Sequence, residues 1–104
     1  MNHKTRLLFW LLAASRGAMS RLQILSLLKK SPMNARKLSL ELSLDYKTIR
    51  NHLEILEKYQ IIDAIGNKYG KIFFISPEYD NEQYLLDLIK KINDKKGVRN
   101  EKNK

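Results

Sequence analysis

The most informative stretch is Asn34–Leu56, NARKLSLELSLDYKTIRNHLEIL, which has the apolar spacing of two short amphipathic helices. Apolar residues recur on one side of each helix, namely Leu38, Leu42, Ile49, Leu53 and Leu56. Asp45 precedes the second helix, where its carboxylate can accept a hydrogen bond from the free N–H groups of the first turn. The stretch therefore predicts two helices joined by a tight turn, which is a helix-turn-helix motif.

The face of the second helix opposite this apolar stripe is polar. Arginine and asparagine suit the edges of guanine and adenine, and lysine suits phosphates. Because the major groove of duplex DNA admits such a helix, we expect DNA contacts from this face. The residues concerned are Tyr46, Lys47, Thr48, Arg50 and Asn51. The alternative is a small helical domain whose polar face meets only water.

Two runs rich in β-branched and aromatic residues follow, Ile61–Ile65 and Lys71–Ser76. The loop Gly66–Gly70 between them has glycine at both ends, which permits positive φ. This pattern predicts a β-hairpin, or wing, after the second helix. Lys68 and Lys71 make its tip basic, so we expect them to contact DNA; an ordinary solvated hairpin is the alternative.

Apolar helices are predicted at both ends of this unit, over residues 4–15 and 80–94, with Asp80 and Gln83 resembling a capping box. In a domain of this size, apolar terminal helices are a natural dimer surface. We assign to it Leu8, Leu11, Leu12, Leu85, Leu88, Ile89 and Ile92. The alternative is that both helices complete the core of one chain. The basic segment 95–104 lacks apolar periodicity and is predicted to be disordered.

These elements predict one domain over residues 1–94, with the winged core at 20–76. Its fold class is mainly α with a small β-hairpin wing, a winged helix-turn-helix with extra N- and C-terminal helices. The charged start and short apolar run of the N-terminus resemble a secretory signal, but the run is too short to span a bilayer. We therefore expect a cytoplasmic protein.

The chain of 104 residues has a formal net charge of +9 and a pI near 9.9. No Asp or Glu precedes Glu41, whereas eight Lys or Arg residues do. Such a surface attracts polyanions. Charge alone would equally suit RNA, an anionic membrane or an acidic protein, and the fold favours duplex DNA as the partner.

The residue inventory argues against other kinds of site. There is no cysteine, which excludes disulfides and thiolate metal sites. His3 and His52 are the only imidazoles and lie far apart in sequence, so we expect no metal and no cofactor; His52 is interpreted as a partly buried structural residue. Because no catalytic carboxylate pair, activated nucleophile or phosphate-binding glycine loop is present, the chain is not expected to be an enzyme.

At the family level, the sequence resembles archaeal ArsR-like winged-helix transcriptional regulators. The similar segments are Phe9–Gly17 (FWLLAASRG), Arg21–Leu28 (RLQILSLL), Pro32–Ala35 (PMNA), Leu44–Leu53 (LDYKTIRNHL) and Tyr69–Gly70. The resemblance implies a homodimer on double-stranded operator DNA, with a reading helix that starts at Asp45 or Tyr46. Two positions depart from the family pattern: Ser43 stands where glycine is common in the turn, and Tyr59-Gln60 stands where Asn-Gly is common.

The sequence therefore predicts a sequence-specific, double-stranded DNA-binding transcriptional regulator that acts as a homodimer. Two alternatives remain open at this point. One is an architectural protein that binds DNA without sequence preference. The other is a winged-helix module that binds a protein partner.

Overall fold

The computed structural model describes residues 2–68 and 70–102, with side chains as far as Lys95. Met1, Tyr69 and residues 103–104 lie outside the described residues, so the part of the resemblance that falls on Tyr69 is left as a prediction. The elements, in order, are α1 (His3–Phe9) with a π-helical turn (Trp10–Ala14), α2 (Ala18–Lys30), β1 (Met33–Asn34), α3 (Ala35–Leu42), α4 (Tyr46–Lys58), β2 (Ile62–Ile65), β3 (Ile72–Ile75), α5 (Pro77–Asp80) and α6 (Gln83–Lys102).

The predicted helix-turn-helix is confirmed as α3 and α4. Ser43 adopts a left-handed backbone conformation, with φ of 54°, in the turn between them. This is the geometry for which glycine is favoured, and a non-glycine residue there costs about 1–2 kcal/mol. The Ser39 hydroxyl donates a hydrogen bond of 2.5 Å to the Leu44 carbonyl, which ties the turn to α3.

The second departure from the family pattern also places a non-glycine residue at a left-handed position. Gln60, just after α4, has φ of 61° and is also left-handed. Its N–H donates to the Glu57 carbonyl, and the Ile61 N–H donates to the Leu56 carbonyl, so the end of the helix is closed without glycine.

The predicted wing is confirmed as the antiparallel pair β2 and β3, in which Ile62 lies opposite Ile75 and Ile65 lies opposite Ile72. Sequence analysis missed the third strand. Met33 and Asn34 pair with Phe73 and Ile72, so the sheet order is β1-β3-β2. Two residues are too few for period-two alternation to be visible in a sequence.

A single apolar core joins these elements. Leucines and isoleucines of α2, α3 and α4 meet Phe73 and Ile75 on the inner face of the sheet. The fully buried residues are Leu8, Ile24, Leu25, Leu38, Ile49, Leu53, Leu56, Ile61 and Leu85. Because the inner side of α4 is anchored in this core, its polar side is held outward.

The terminal helices correct part of the sequence-based interpretation. Of the seven residues assigned to a dimer surface, five are buried within the single chain: Leu8, Leu11, Leu12, Leu85 and Ile89. They complete the intrachain core, as the alternative predicted, because a domain this small needs both helices to cover α2. Only Leu88 and Ile92 are half-buried.

The boundaries at the C-terminus also differ from expectation. α6 begins at Gln83 rather than residue 80, since the Glu82 carboxylate accepts from the N–H groups of Tyr84 and Leu85 while Asp80 accepts from Lys29. The helix runs to Lys102, so the segment predicted to be a disordered tail from residue 95 is helical to that point. Lysine, arginine and glutamate are good helix formers, and propagation from an existing helix needs no new nucleus. No helix in the described part of the chain is long and apolar enough to cross a membrane.

Candidate nucleic-acid interface

The start of α4 is well defined. The Asp45 carboxylate accepts a hydrogen bond of 3.2 Å from the Thr48 N–H, which confirms the predicted cap. Ile49, Leu53 and Leu56 then bury the inner side of the helix. Lys47 and Asn51 are exposed one turn apart on the outer side, next to the half-exposed Thr48 and Arg50. Their side chains are therefore available to a ligand.

Four of the seven predicted DNA-binding residues surround one cleft between α3, α4 and the wing. This feature, called the wing cleft below, has a volume of about 90 Å³. Its lining residues are Asn34, Ala35, Arg36, Tyr46, Arg50, Lys68, Lys71 and Phe73. Four of these are cations and none carries a carboxylate, so the cleft attracts an anion. The remaining three candidates, Lys47, Thr48 and Asn51, lie on α4 outside it.

Tyr46 and Arg50 form a local pair in the wing cleft. The Arg50 guanidinium donates a hydrogen bond of 3.3 Å to the Tyr46 hydroxyl and lies 5.9 Å from the centre of its ring. This hydrogen bond raises the pKa of Arg50, with smaller contributions from Glu54 and Glu57. The pair restrains an otherwise mobile side chain, and its remaining N–H groups are free to meet a phosphate or a guanine.

The two wing lysines differ. The Lys71 ammonium lies 3.4 Å from the Glu57 carboxylate and 5.4 Å from the centre of the Phe73 ring. Lys68 is exposed and takes part in none of the ion pairs found among the described residues. Sequence analysis treated both as equivalent contacts; the structure places Lys68 at the tip and Lys71 against the reading helix.

Arg36 belongs to the wing cleft and was missed from the sequence. Asn34 caps α3 by accepting from the Lys37 N–H at 2.8 Å, which places Arg36 in the first helical turn beside the cleft. A basic residue in the first turn opposes the helix dipole, so the position of Arg36 is not explained by the stability of α3.

A second arginine, Arg21 of α2, was also missed. It is only 4% exposed. Its Nε donates to the Leu11 carbonyl at 2.9 Å, and one terminal nitrogen donates to the Ser15 hydroxyl at 2.6 Å and to the Arg16 carbonyl at 3.0 Å. The other terminal nitrogen lies 3.4 Å from Nδ1 of His52 on α4. These residues, the Arg21 cluster, link the N-terminal segment to the reading helix.

The Arg21 cluster also fixes the state of His52. Burial lowers the pKa of His52, and the neighbouring Arg21 charge lowers it further. Burial likewise lowers the pKa of Arg21. The lowered pKa favours the neutral form of His52, whose Nδ1 can then accept from Arg21. This arrangement fits the structural role expected from the sequence. Within the described ranges, no group of three or more His, Asp or Glu residues is placed to hold a metal ion.

Comparison with known families agrees with this geometry. Residues 19–64 match the family model described as bacterial regulatory protein, arsR family. The match runs from α2 through the helix-turn-helix into β2. The chain therefore carries an ArsR-type helix-turn-helix domain, the DNA-binding part of a transcriptional regulator. Comparison with curated proteins gives no significant match.

Proposed function

We propose that this chain, with an ArsR-type helix-turn-helix domain at residues 19–64, acts as a homodimer that regulates transcription from a specific duplex DNA site. The observation that carries the proposal is the wing cleft, in which Arg36, Arg50, Lys68 and Lys71 meet beside the exposed face of α4. The cations of the wing cleft are suited to the phosphates of the DNA backbone, and the exposed side chains of α4 are suited to the base edges. Because such a regulator must reach DNA, we propose a cytoplasmic location for the protein.

Base reading is assigned to Lys47, Arg50 and Asn51. We expect α4 to enter the major groove with its N-terminal residues while the wing follows the adjacent DNA backbone, which is the docking mode of helix-turn-helix proteins. Arginine and asparagine are the side chains that pair bidentately with guanine and adenine. An architectural protein would use the same cations on phosphates but would show no base preference.

Selection of bound duplexes from a random pool distinguishes these two functions. We expect enrichment of a pseudo-palindrome whose half-sites are about 10 bp apart, centre to centre. Recovery of unselected sequence with tight, salt-sensitive binding would instead establish architectural binding. No retention of any duplex would leave the protein-interaction module as the function.

Substitutions in α4 sharpen the result. Arg50→Ala or Asn51→Ala is expected to weaken binding to the selected site by about 1–3 kcal/mol while affecting non-specific duplex much less. Arg6→Ala, a change at an exposed cation of α1, is the control and should alter neither. Mobility shift on both duplexes measures the difference; equal losses on the two would contradict base reading.

The homodimer is assigned to α6, where Leu88 and Ile92 lie one turn apart and remain half-buried in the single chain. Each such side chain contributes about 1.5–3 kcal/mol when fully buried. Leu88→Glu with Ile92→Glu should give a monomer by light scattering and abolish the preference for the full palindrome. Lys90→Glu with Lys91→Glu, on the exposed side of the same helix, should not. A wild-type monomer at micromolar concentration would contradict the dimer.

A further inference from the structure

A second groove lies between the π-helical turn, the segment that precedes α2 and the C-terminal end of α4. This Trp10 groove has a volume of about 460 Å³. It is lined by Trp10, Leu11, Ser15, Arg16, Arg21, Ile55, Lys58 and Tyr59. Its size falls within the range of small-molecule sites. It is separate from the wing cleft, with which it shares no residue.

The lining of the Trp10 groove combines apolar surface with positive charge. Two aromatic and two aliphatic side chains supply its apolar surface, and Arg16, Arg21 and Lys58 supply three positive charges. None of the described residues that line it carries a carboxylate. Trp10 is 59% exposed although it is the largest apolar side chain in the protein. An apolar surface beside cations without counterions matches a ligand that is planar at one end and anionic at the other.

Arg21 is the most informative residue of the groove. It is buried, yet its described partners are two carbonyls, one hydroxyl and one imidazole nitrogen, all neutral. It takes part in none of the ion pairs that the described residues form. A buried charge ordinarily has an opposite charge nearby, because desolvation is costly. A guanidinium also has five N–H donors, one more than these four contacts use.

We propose that the Trp10 groove binds a small aromatic carboxylate. The carboxylate would be held by Arg16, Lys58 and the free edge of Arg21, and the ring would lie against Trp10 and Tyr59. Lys58 already lies 5.7 Å from the centre of the Tyr59 ring, so cation and aromatic surface form one continuous wall. Arginine and lysine provide the charge, and the ring faces provide the apolar contact.

A regulatory consequence follows, which rests on the proposed function. Arg21 reaches the groove on one side and His52 of the reading helix on the other. The free N–H of Arg21 belongs to the same terminal nitrogen that lies 3.4 Å from His52. An anion that engages this N–H therefore alters the contact with His52, and hence the energy of this orientation of α4. Binding in the groove and binding to DNA are then coupled, and each changes the affinity of the other by the same factor.

A second copy of the chain is a less suitable occupant. A two-fold interface centred on this groove would bring the same patch together twice. Arg16, Arg21 and Lys58 of one copy would then face the same three cations of the other, which is a repulsive arrangement. This charge argument favours an anion over a partner subunit.

The test uses the intact protein and the emission of Trp10, its only tryptophan. Titration with benzoate should change this emission saturably, with a dissociation constant of about 0.1–10 mM for so small a probe. Benzamide has the same ring without the charge, and acetate has the charge without the ring. Each should bind at least about tenfold more weakly, since a factor of ten corresponds to one lost contact of moderate strength.

Variants at exposed positions locate the site without disturbing the core. Arg16→Gln and Lys58→Gln should each weaken benzoate binding several-fold, and Tyr59→Leu should do the same. Lys90→Gln, which removes an equally exposed cation from α6, is the matched control and should leave the titration unchanged. Circular dichroism of every variant should match that of the wild type, because none of the substituted side chains is in the core.

Two results with ligand would overturn the site: no saturable change with benzoate, or equal binding of benzamide. A third would be a change of Trp10 emission with protein concentration in the absence of ligand, which would show that a second copy of the chain covers the groove. Mobility shift with the selected duplex tests the coupling separately, with an expected change in DNA affinity of at least threefold at saturating benzoate. Benzoate binding without that change would refute the regulatory link and keep the site. If the protein binds benzoate but no DNA duplex, the proposed function is refuted and the benzoate site is not.

Discussion

The wing cleft and the Arg21 cluster lie on opposite sides of the same reading helix, and both are built around arginine. In the wing cleft, Arg50 donates a hydrogen bond to the Tyr46 hydroxyl and remains partly exposed, so its charge is available to a ligand. In the Arg21 cluster, the guanidinium is enclosed by carbonyls, a hydroxyl and His52. The same residue type is thus exposed to a ligand on one side of α4 and cross-links three segments of the fold on the other. Burial decides whether the hydrogen-bond donors of an arginine are taken up by the fold or left to solvent.

The sharpest way to separate the two regions is one substitution made in each. Arg21→Met keeps most of the apolar stem of the side chain but leaves the Leu11 and Arg16 carbonyls and the Ser15 hydroxyl without their donor. We expect a loss of about 2–4 kcal/mol in the free energy of unfolding, measured by urea denaturation. Arg50→Met should change that free energy by no more than about 0.5 kcal/mol and weaken DNA binding instead. Similar stability losses in both variants would contradict the comparison.

The Arg21 cluster also constrains the backbone beside it. Gly17 precedes α2 with φ of 82°, and a Cβ atom there would lie 2.8 Å from Cε1 of His52 and 3.0 Å from a terminal nitrogen of Arg21. Gly17→Ala therefore combines an unfavourable φ with a clash against a ring that is fixed by packing. We expect a loss of about 1–3 kcal/mol in stability by thermal or urea unfolding.

Gly70 of the wing loop is the matched control for this substitution. A Cβ atom at Gly70 would have its nearest neighbour at 3.8 Å and needs no left-handed backbone. Gly70→Ala should be neutral or slightly stabilising, because it reduces the freedom of the unfolded chain. If the two alanine variants were equally stable, His52 and Arg21 would not be packed against Gly17 in solution.

The two regions also differ in how far the sequence predicts them. The apolar period of α4, its Asp45 cap and the glycines of the wing predict the helix-turn-helix and the hairpin. They thereby place Tyr46, Arg50, Lys68 and Lys71 on the elements that the structure brings around one cleft. These are local signals with a period of 3.6 or 2 residues.

The Arg21 cluster has no such local signature. Arg21 and His52 are 31 positions apart, and the Leu11 carbonyl that accepts from Arg21 belongs to the backbone of another segment. The terminal helices show a similar limit of sequence analysis. Periodicity places Leu8 and Leu85 on the apolar side of their helices, but whether that side covers the core or a second chain depends on tertiary packing. Sequence pattern predicts which side of a helix is buried, and not which surface buries it.

The pH dependence of stability provides a smaller test of the same comparison. Because burial and Arg21 lower the pKa of His52, the unfolded chain binds more protons than the folded one as pH falls below about 6.5, the ordinary imidazole value. The contribution of neutral His52 is complete above that pH and is lost below it. Urea denaturation should show this loss in the wild type and a flatter profile in His52→Gln.

The smallest expected effects distinguish the two lysines within the wing cleft. Lys68 is exposed at the tip, so Lys68→Ala should remove one phosphate contact and lower the salt dependence of DNA binding by about one unit. Lys71 is paired with Glu57 at 3.4 Å, so its charge is already partly neutralised. Lys71→Ala should lower the slope by less than Lys68→Ala, although both were expected to be equivalent from sequence.

Glu57→Gln provides the opposite change, since it frees the Lys71 ammonium for DNA and should raise both the affinity and the slope. Titrations of non-specific duplex from low to moderate salt measure all three slopes. A Glu57→Gln variant that binds no more tightly than the wild type would show that Lys71 serves to fasten the wing to α4, and that only the tip of the wing contacts the backbone.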